Sequence, residues 1–403
     1  MYKNDKGTIV FDIGDSKIAV ICANIISETE IDLVHCNVYS PEGFNGGCVT
    51  NMERASHNLS YIIYNLEKDY KKTVKEVTLV ISPQLVKSYY VSVKKSIDNK
   101  IIDQNILDKI YEEALSKISC SDKDVLHYFP IEFLLDESYV VENPLGLIAQ
   151  KIECKIHFIT SNKILLRNIV NCFARVNVEI KEFILSSYVL GKNMKLKYQK
   201  SNSLILDIGC KYSSFTIFHG ESPVYTSYVM LGGENITKKI ASKFLLSMNS
   251  AEKIKILYGN AILDNLPKDD IIKIDREDFD LHRQDIILNS LELSEIINSE
   301  LDHILQQLSS LYYKLGIEEQ LNVDTVSLCG GCSNINRTRQ LAIEYFSKPV
   351  RVMNFLLDIP ISNNLDHAST IHVTNMVKFI ASGTRFKYGG KIKLKNFWKW
   401  LTY

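Results

Sequence analysis

Two short polar turns in this 403-residue chain carry the same Asp-Ile-Gly triplet behind an apolar run. The first is Thr8-Ile-Val-Phe-Asp12-Ile-Gly14, continued by Asp15, Ser16 and Lys17. The second is Ser203-Leu-Ile-Leu-Asp207-Ile-Gly209, continued by Cys210, Lys211, Tyr212, Ser213 and Ser214. A turn of the first kind can bind phosphate. Gly14 lets backbone N–H groups approach an anion closely, Ser16 and Lys17 can donate to phosphate oxygens, and Asp12 can hold Mg²⁺ through water. A third segment, Gly330-Gly331, follows a strand pattern and precedes a helix pattern, which also suits a close backbone approach to a ligand. Taken singly, each segment equally describes an ordinary tight turn with an Asp side chain satisfying it. Cys329 and Cys332 flank the glycine pair at the spacing of a redox or metal pair. Two further ligands for a zinc ion are not near them in sequence, so they are expected to be small buried thiols in a reducing cytosol.

The elements that must position these turns alternate between strand and helix. Each Asp-Ile-Gly segment reads as a β-hairpin, with Ile18 to Cys22 and Phe215 to Phe218 as the returning strands. Met52, Ala55, Leu59, Ile62, Ile63 and Leu66 recur at helical spacing. Val77 to Ile81 predicts a strand, as do Tyr89 to Val93, Cys154 to Thr160 and Val323 to Cys329. Helices are predicted over Gln104 to Ile118, Ile164 to Val176, Ile236 to Leu246, Ala251 to Tyr258, Leu288 to Leu315 and Asn334 to Phe346. The longest ends at Gly316, a natural residue just past a helix C-terminus. Strands and helices in this alternation indicate an α/β architecture, and the repeated hairpin half a chain apart indicates two lobes of like fold.

Composition is that of a globular protein, 46 % apolar and 23 % charged, with acidic and basic residues balanced at 47 each. That balance gives no electrostatic reason to expect a nucleic-acid partner. The residues up to Gly7 are polar and contain no apolar leader core, and no run of about 18 apolar residues is present, so a chain without signal peptide or membrane span is expected.

The order Asp-Ile-Gly, second Asp-Ile-Gly, late Gly-Gly is that of the actin, Hsp70 and sugar-kinase superfamily. Three further segments, Val125-Leu-His-Tyr-Phe-Pro130, Asn143-Pro-Leu-Gly-Leu147 and Lys155-Ile-His-Phe-Ile-Thr160, are similar to the small subdomain particular to the bacterial cell-division family FtsA. Leu231-Gly232-Gly233-Glu-Asn-Ile-Thr237 and Ser250-Ala-Glu252-Lys-Ile-Lys255, running on to Gly259, resemble the FtsA segment that closes over a nucleotide. The resemblance covers essentially the whole chain. It implies an actin-like two-lobed fold with duplicated ribonuclease-H-like subdomains and an FtsA-type small subdomain in the first lobe. The implied division is 1–82 with 159–196 and 364–384 for the first actin-like subdomain, and 83–158 for the small subdomain. The second actin-like subdomain is 197–236 with 317–363, its outer part 237–316, and 385–403 a tail.

The resemblance also implies ATP and Mg²⁺ as ligands, held by Asp12, Gly14, Ser16, Lys17, Asp207, Gly209, Lys211, Gly232, Gly233, Glu252, Lys255, Gly330 and Gly331, with Asp12 and Asp207 near the metal. Glu252 and Lys255 would face the ribose. Spaced i, i+3 they leave one helix face, and without the family they read as a surface ion pair. The second turn departs from the superfamily pattern. Where Asp-Ile-Gly-Gly-Gly-Thr is usual, this chain has Cys210, Lys211 and Tyr212, and Ser214 stands where an acidic residue would follow. Bulk replaces phosphate-compatible glycine, and a carboxylate that could organise Mg²⁺ is lost. Lys211 can compensate by pairing directly with phosphate. Either nucleotide binds with altered metal chemistry, or the pocket is degenerate and the protein is a scaffold. In both cases no catalytic residue is assigned, and the activity expected is at most a weak ATPase.

Residues 385–403 contain six basic residues, no acidic one and both tryptophans. On a helix, Leu394, Phe397, Trp398 and Leu401 form one face, with Lys395 and Lys399 opposite. This is the composition of an in-plane amphipathic membrane helix on an anionic leaflet. Docking on the protein's own core is the alternative. FtsA carries its membrane-targeting helix here, and the resemblance implies a peripheral protein on the cytoplasmic face of the inner membrane at the division septum. The implied partners are the tail peptide of FtsZ, other division proteins and further copies of the chain. A small-molecule kinase of the same superfold would need a catalytic base for which no motif is present. A pilus-assembly or shape-determining actin relative would lack the segment from Val125 to Thr160.

Overall fold

The computed structural model describes residues 7–118, 122–197, 202–264, 267, 271–274, 286–316, 321–353 and 367–383. The first lobe opens with strands β1 (Thr8–Ile13), β2 (Ile18–Ile25) and β3 (Ile31–Tyr39), then a small hairpin, β4 (Phe44–Asn45) and β5 (Cys48–Val49). Helix α1 (Met52–Tyr70) follows, and then β6 (Glu76–Ile81). The Asn51 side chain accepts from the Arg54 N–H to start α1, and Lys71 ends it in the left-handed region. Between them Ala55, Leu59, Ile62, Ile63 and Leu66 bury one face, the residues whose spacing predicts the helix.

An insert leaves the first lobe after β6 and consists of β7 (Val86–Ile101), α2 (Gln104–Ile118), β8 (Lys123–Leu135), β9 (Tyr139–Val141) and β10 (Ile148–Asn162). Its sheet runs β7-β10-β8-β9, with α2 against β7 and a core of its own around Val93, Ile110, Phe133 and Phe158. Both strands expected here are much longer than their apolar centres suggest, because each pairs with β10 or β7 along its length. Pro130 lies mid-strand in β8 and is accommodated where the pairing with β10 shifts register, next to Ile156.

The chain returns to the first lobe through α3 (Lys163–Ala174) and β11 (Glu179–Leu185), then crosses to the second lobe along α4 (Ser186–Lys197). There β12 (Ser203–Ile208), β13 (Ser213–His219) and β14 (Ser222–Val229) precede α5 (Gly233–Phe244), α6 (Met248–Tyr258), β15 (Ile271–Ile274), β16 (Ile286–Asn289) and α7 (Ser290–Lys314). The lobe closes with β17 (Thr325–Cys329), α8 (Thr338–Phe346) and β18 (Val350–Val352). Helix α9 (His367–Ala381) then packs back on β1, β2 and β3 of the first lobe.

The two main sheets are the same object. The first runs β11-β6-β1-β2-β3 and the second, in the matching sense, β18-β17-β12-β13-β14. In each, an antiparallel hairpin is extended by two parallel strands beyond the Asp-Ile-Gly strand. Each sheet has its own apolar core, one around Phe11, Leu59 and Phe173, the other around Phe215, Leu301 and Tyr312. This is the actin-like two-lobed α/β fold with duplicated ribonuclease-H-like sheets.

Several helix starts differ from the periodicity, two of them for a capping reason. Helix α7 starts at Ser290 because the Asn289 side chain accepts from the Leu291 and Glu292 N–H groups, which leaves Leu288 in a strand. Helix α6 starts earlier than its apolar pattern, at Met248, because Ser247 accepts from Ser250. Helix α8 starts later, after a short 3₁₀ turn over Gly331–Asn334.

Candidate functional site

The two Asp-Ile-Gly turns face each other across the cleft between the lobes, and their backbones match bond for bond. Gly14 N–H donates to the Lys17 carbonyl at 2.9 Å, and Gly209 N–H donates to the Tyr212 carbonyl at 3.0 Å. Asp12 sits opposite Ala19 in the hairpin, as Asp207 sits opposite Ser214. Ser16 is exposed at the tip of its turn, Gly14 and Lys17 are half-buried beside it, and Asp12 is buried behind.

A histidine that no sequence motif marks lies between the carboxylates. His372, on α9, places Nδ1 2.8 Å from Asp12 Oδ2 and Nε2 3.3 Å from Asp207 Oδ2. The first contact is a hydrogen bond; the second is a close ionic contact. Only 13 % of the His372 side chain is exposed. Burial alone would lower its pKa, but the Asp12 charge and hydrogen bond, with help from Asp207, outweigh burial and hold it well above the usual histidine value. Asp207, Cys329 and His372 bring a carboxylate oxygen, a sulfur and a nitrogen within 4.8 Å of one another. The only signal in the sequence is a lone histidine inside an apolar helix pattern, a pattern more often met in ordinary cores.

The altered second turn is used to bridge the lobes. Lys211 Nζ donates to Asn45 Oδ1 at 2.6 Å, in the small hairpin of the first lobe. The Tyr212 ring lies against Gly46, whose N–H donates to the Asp15 carboxylate. Asp15 is partly desolvated there, which raises its pKa despite Gly46 and Lys211. Lys211, read in the sequence as a phosphate partner, is thus paired with the other lobe.

Gly232 is the N-cap of α5 and Gly233 its first residue. The Gly233 and Glu234 N–H groups donate to the Gly209 and Cys210 carbonyls at 2.9 and 2.8 Å, so the helix start is fastened to the second turn. Lys255 is buried. Its Nζ lies 3.1 Å from the Gly233 carbonyl, 3.0 Å from Thr237 Oγ1 and 2.7 Å from Glu252 Oε2. Glu252 also accepts from the Thr237 hydroxyl. The pair expected on a ribose is bound to α5, where it holds the Gly233 carbonyl in place. Gly330 has φ +84°, and a Cβ there would stand 2.4 Å from Asp207 Oδ1, so only glycine leaves that carboxylate its position. A methyl added at Gly331 would meet no heavy atom within 4 Å, and this residue lines the open side. Burial pushes the Cys329 and Cys332 thiols up to about 12 and about 11, the chemistry of inert core thiols.

Mg²⁺ requires a near-octahedral shell of oxygens and keeps several waters. The facing oxygens of Asp12 and Asp207 instead meet an imidazole, and the remaining nearby donors are nitrogen and sulfur. Asp12 Oδ1 is buried without a hydrogen-bond partner among the described residues, but one oxygen is not such a shell. The residues present do not fit Mg²⁺. The tail residues Leu394, Lys395, Phe397, Trp398, Lys399 and Leu401 lie outside the described residues. No helix among the described residues is long and apolar enough to cross a membrane.

Known proteins resemble this chain in sequence and in shape. The family model "Cell division protein FtsA" matches residues 204–370, and "SHS2 domain inserted in FTSA" matches residues 84–160, the sheet that leaves the first lobe. The cell-division protein FtsA of Buchnera aphidicola subsp. Schizaphis graminum is 22 % identical over 96 % of this chain and 93 % of its own length. That of Borreliella burgdorferi is 25 % identical over 85 % and 83 %. Among solved structures, a chain of the PilM-PilN type IV pilus biogenesis complex matches with a TM-score of 0.63 at 14 % identity, covering 92 % of this chain and 98 % of that one. MreB5 of Spiroplasma citri bound to ADP gives 0.52 at 12 %, covering 94 % and 98 %. These structural likenesses show the actin-like fold. With separate family models matching the insert and the second lobe, and FtsA sequences aligning along most of its length, the chain belongs to the FtsA family of cell-division proteins.

Proposed function

We propose that the protein tethers polymers of the tubulin-like FtsZ to the cytoplasmic face of the inner membrane at the division septum, and recruits further division proteins there. The observation that carries this reading is the inserted sheet, matched as an FtsA insert and docked on the second lobe. His157 Nδ1 of β10 donates to the Pro223 carbonyl at 2.8 Å, Ser88 shares hydrogen bonds with Thr226, and the Tyr90 hydroxyl donates to the Val224 carbonyl. The insert is thereby held as a fixed arm beside both lobes, suited to partner recruitment and to self-association of the actin-like frame. In this reading residues 385–403 bind anionic lipid peripherally, and the outer part of the second lobe receives the FtsZ tail peptide.

The cleft is proposed to take an adenine nucleotide, supported by the fold it shares with MreB5 bound to ADP and to AMPPNP. The bulky second turn and the histidine-filled carboxylate pair favour slow turnover or none. Co-sedimentation with FtsZ filaments and anionic liposomes tests the tether. Wild type should sediment with both, and deletion of Gly390 to Tyr403 should abolish lipid binding while FtsZ binding persists. Failure of the full chain to sediment with FtsZ refutes the reading. Equilibrium binding of labelled ATP separates a working pocket from a degenerate one.

A further inference from the structure

We propose that His372 stands where a divalent cation would otherwise sit between the two lobes, excludes it, and clasps the lobes through Asp12 and Asp207. The inference rests on reading the cleft as the family's nucleotide site only in locating where a cation would belong. The rest comes from geometry. Asp12 is the penultimate residue of β1 in the first lobe and Asp207 that of β12 in the second, and their carboxylates converge on one point. Two carboxylates brought together in a largely buried place repel unless a positive group lies between them. The two ring nitrogens of one imidazole point in diverging directions, and here each faces one carboxylate, at 2.8 and 3.3 Å. Both contacts are favourable when both nitrogens carry hydrogen. The ring fills the gap, so the carboxylates cannot close on a small cation at about 2.1 Å.

The histidine is placed by the element that connects the lobes. Helix α9 is the return path from the second lobe, and it packs on β1 and β2 and crosses α4, the outward path. Asn193 of α4 donates to the Asn375 backbone carbonyl at 2.7 Å and to its side-chain oxygen at 3.0 Å, one turn beyond His372. Ile371, Val373 and Met376 are buried around this crossing. The ring is therefore carried by a fixed helix at the junction of the lobes. His372 is a positioning residue: its ring sets the distance between the two turns and occupies the space between their carboxylates. The Lys211–Asn45 bond closes the same cleft farther out.

The test is a Mn²⁺ titration followed by electron paramagnetic resonance, with the full-length protein and no nucleotide, so the result is independent of whether ATP binds. Wild type should match Asp12→Asn/Asp207→Asn, showing only the weak background of surface carboxylates. His372→Gly, which removes the ring, should gain one site binding at least about tenfold more tightly, and that site should vanish when Asp12→Asn is added. His372→Lys, which keeps a cation on the helix, should not gain it. A Mn²⁺ site in wild type that Asp12→Asn abolishes would overturn the proposal, and this result needs no His372 variant to fold. Failure of a folded His372→Gly to gain the site would overturn it too. So would stoichiometric zinc in the purified wild type, lost in His372→Gly and in Cys329→Ala, because His372 would then be a ligand and not a substitute.

Discussion

Gly330→Ala is expected to be severely destabilising while its neighbour Gly331→Ala is not, although the two residues are identical in type and adjacent. At Gly330 the backbone has φ +84° and ψ 167°, a region reserved for glycine. Holding alanine there costs about 1–3 kcal/mol. The added Cβ would also stand 2.4 Å from Asp207 Oδ1 and 2.4 Å from the Ile208 carbonyl. The second obstacle is backbone of the central strand of its sheet, so relief requires β12 or β17 to shift, a further ~1–3 kcal/mol by analogy with overpacked cores. The expected loss is therefore about 2–6 kcal/mol. At Gly331 no heavy atom lies within 4 Å of the new methyl and φ is not positive, so alanine should be neutral or stabilising by up to about 1 kcal/mol through the unfolded chain. Urea denaturation followed by far-ultraviolet circular dichroism compares the two, with amide exchange on β12 locating the damage. Equal midpoints for both variants would refute the reasoning, since it assigns the difference to the backbone conformation of Gly330 and the lack of space for a Cβ there.

Lys255→Met should lower stability by about 1–3 kcal/mol, the cost of removing the buried charged donor shared by the Gly233 carbonyl, Thr237 and Glu252, whereas Glu252→Gln, half-exposed, should change little; urea midpoints of both decide. Stability should fall as pH drops from about 6.5 to about 4. Burial depresses His127 and His157 to about 4 from the ordinary histidine value of 6.5, so both are neutral when folded and the unfolded chain binds more protons in that window. With both contributing, the slope approaches about 2.7 kcal/mol per pH unit, and His157→Gln should remove about half of it in denaturation runs at stepped pH. Tyr90→Phe combined with Ser88→Ala should speed amide exchange in β14 without unfolding the insert, because those hydroxyls join the insert to that strand while its own core lies elsewhere.

Much of the frame is legible in the sequence because local rules act on it strongly. The apolar face of α1, the capping residues around it and the two hairpins follow from residue types a few positions apart. The ends of α6 and α7 escape the apolar periodicity because a single capping side chain, Ser247 or Asn289, overrides it. The lengths of β7 and β10 exceed what their apolar centres suggest because their exposed polar halves are fixed by pairing with each other.

The site divides the same way. Sequence by itself determined that the chain has two like lobes and that each presents an Asp-Ile-Gly turn, since a repeated order of strand, carboxylate and glycine encodes a repeated local structure. Set beside the superfamily pattern, it also showed that the second turn keeps Gly209 but lacks the two glycines that usually follow. It did not show what the replacements do. Lys211 reaches Asn45 from 166 positions away, and His372 reaches Asp12 from 360. A contact at such separation has no periodicity to betray it. Only the packing of α9 across the lobe junction turns an isolated histidine into the group between two carboxylates, and with it decides which cation holds the cleft.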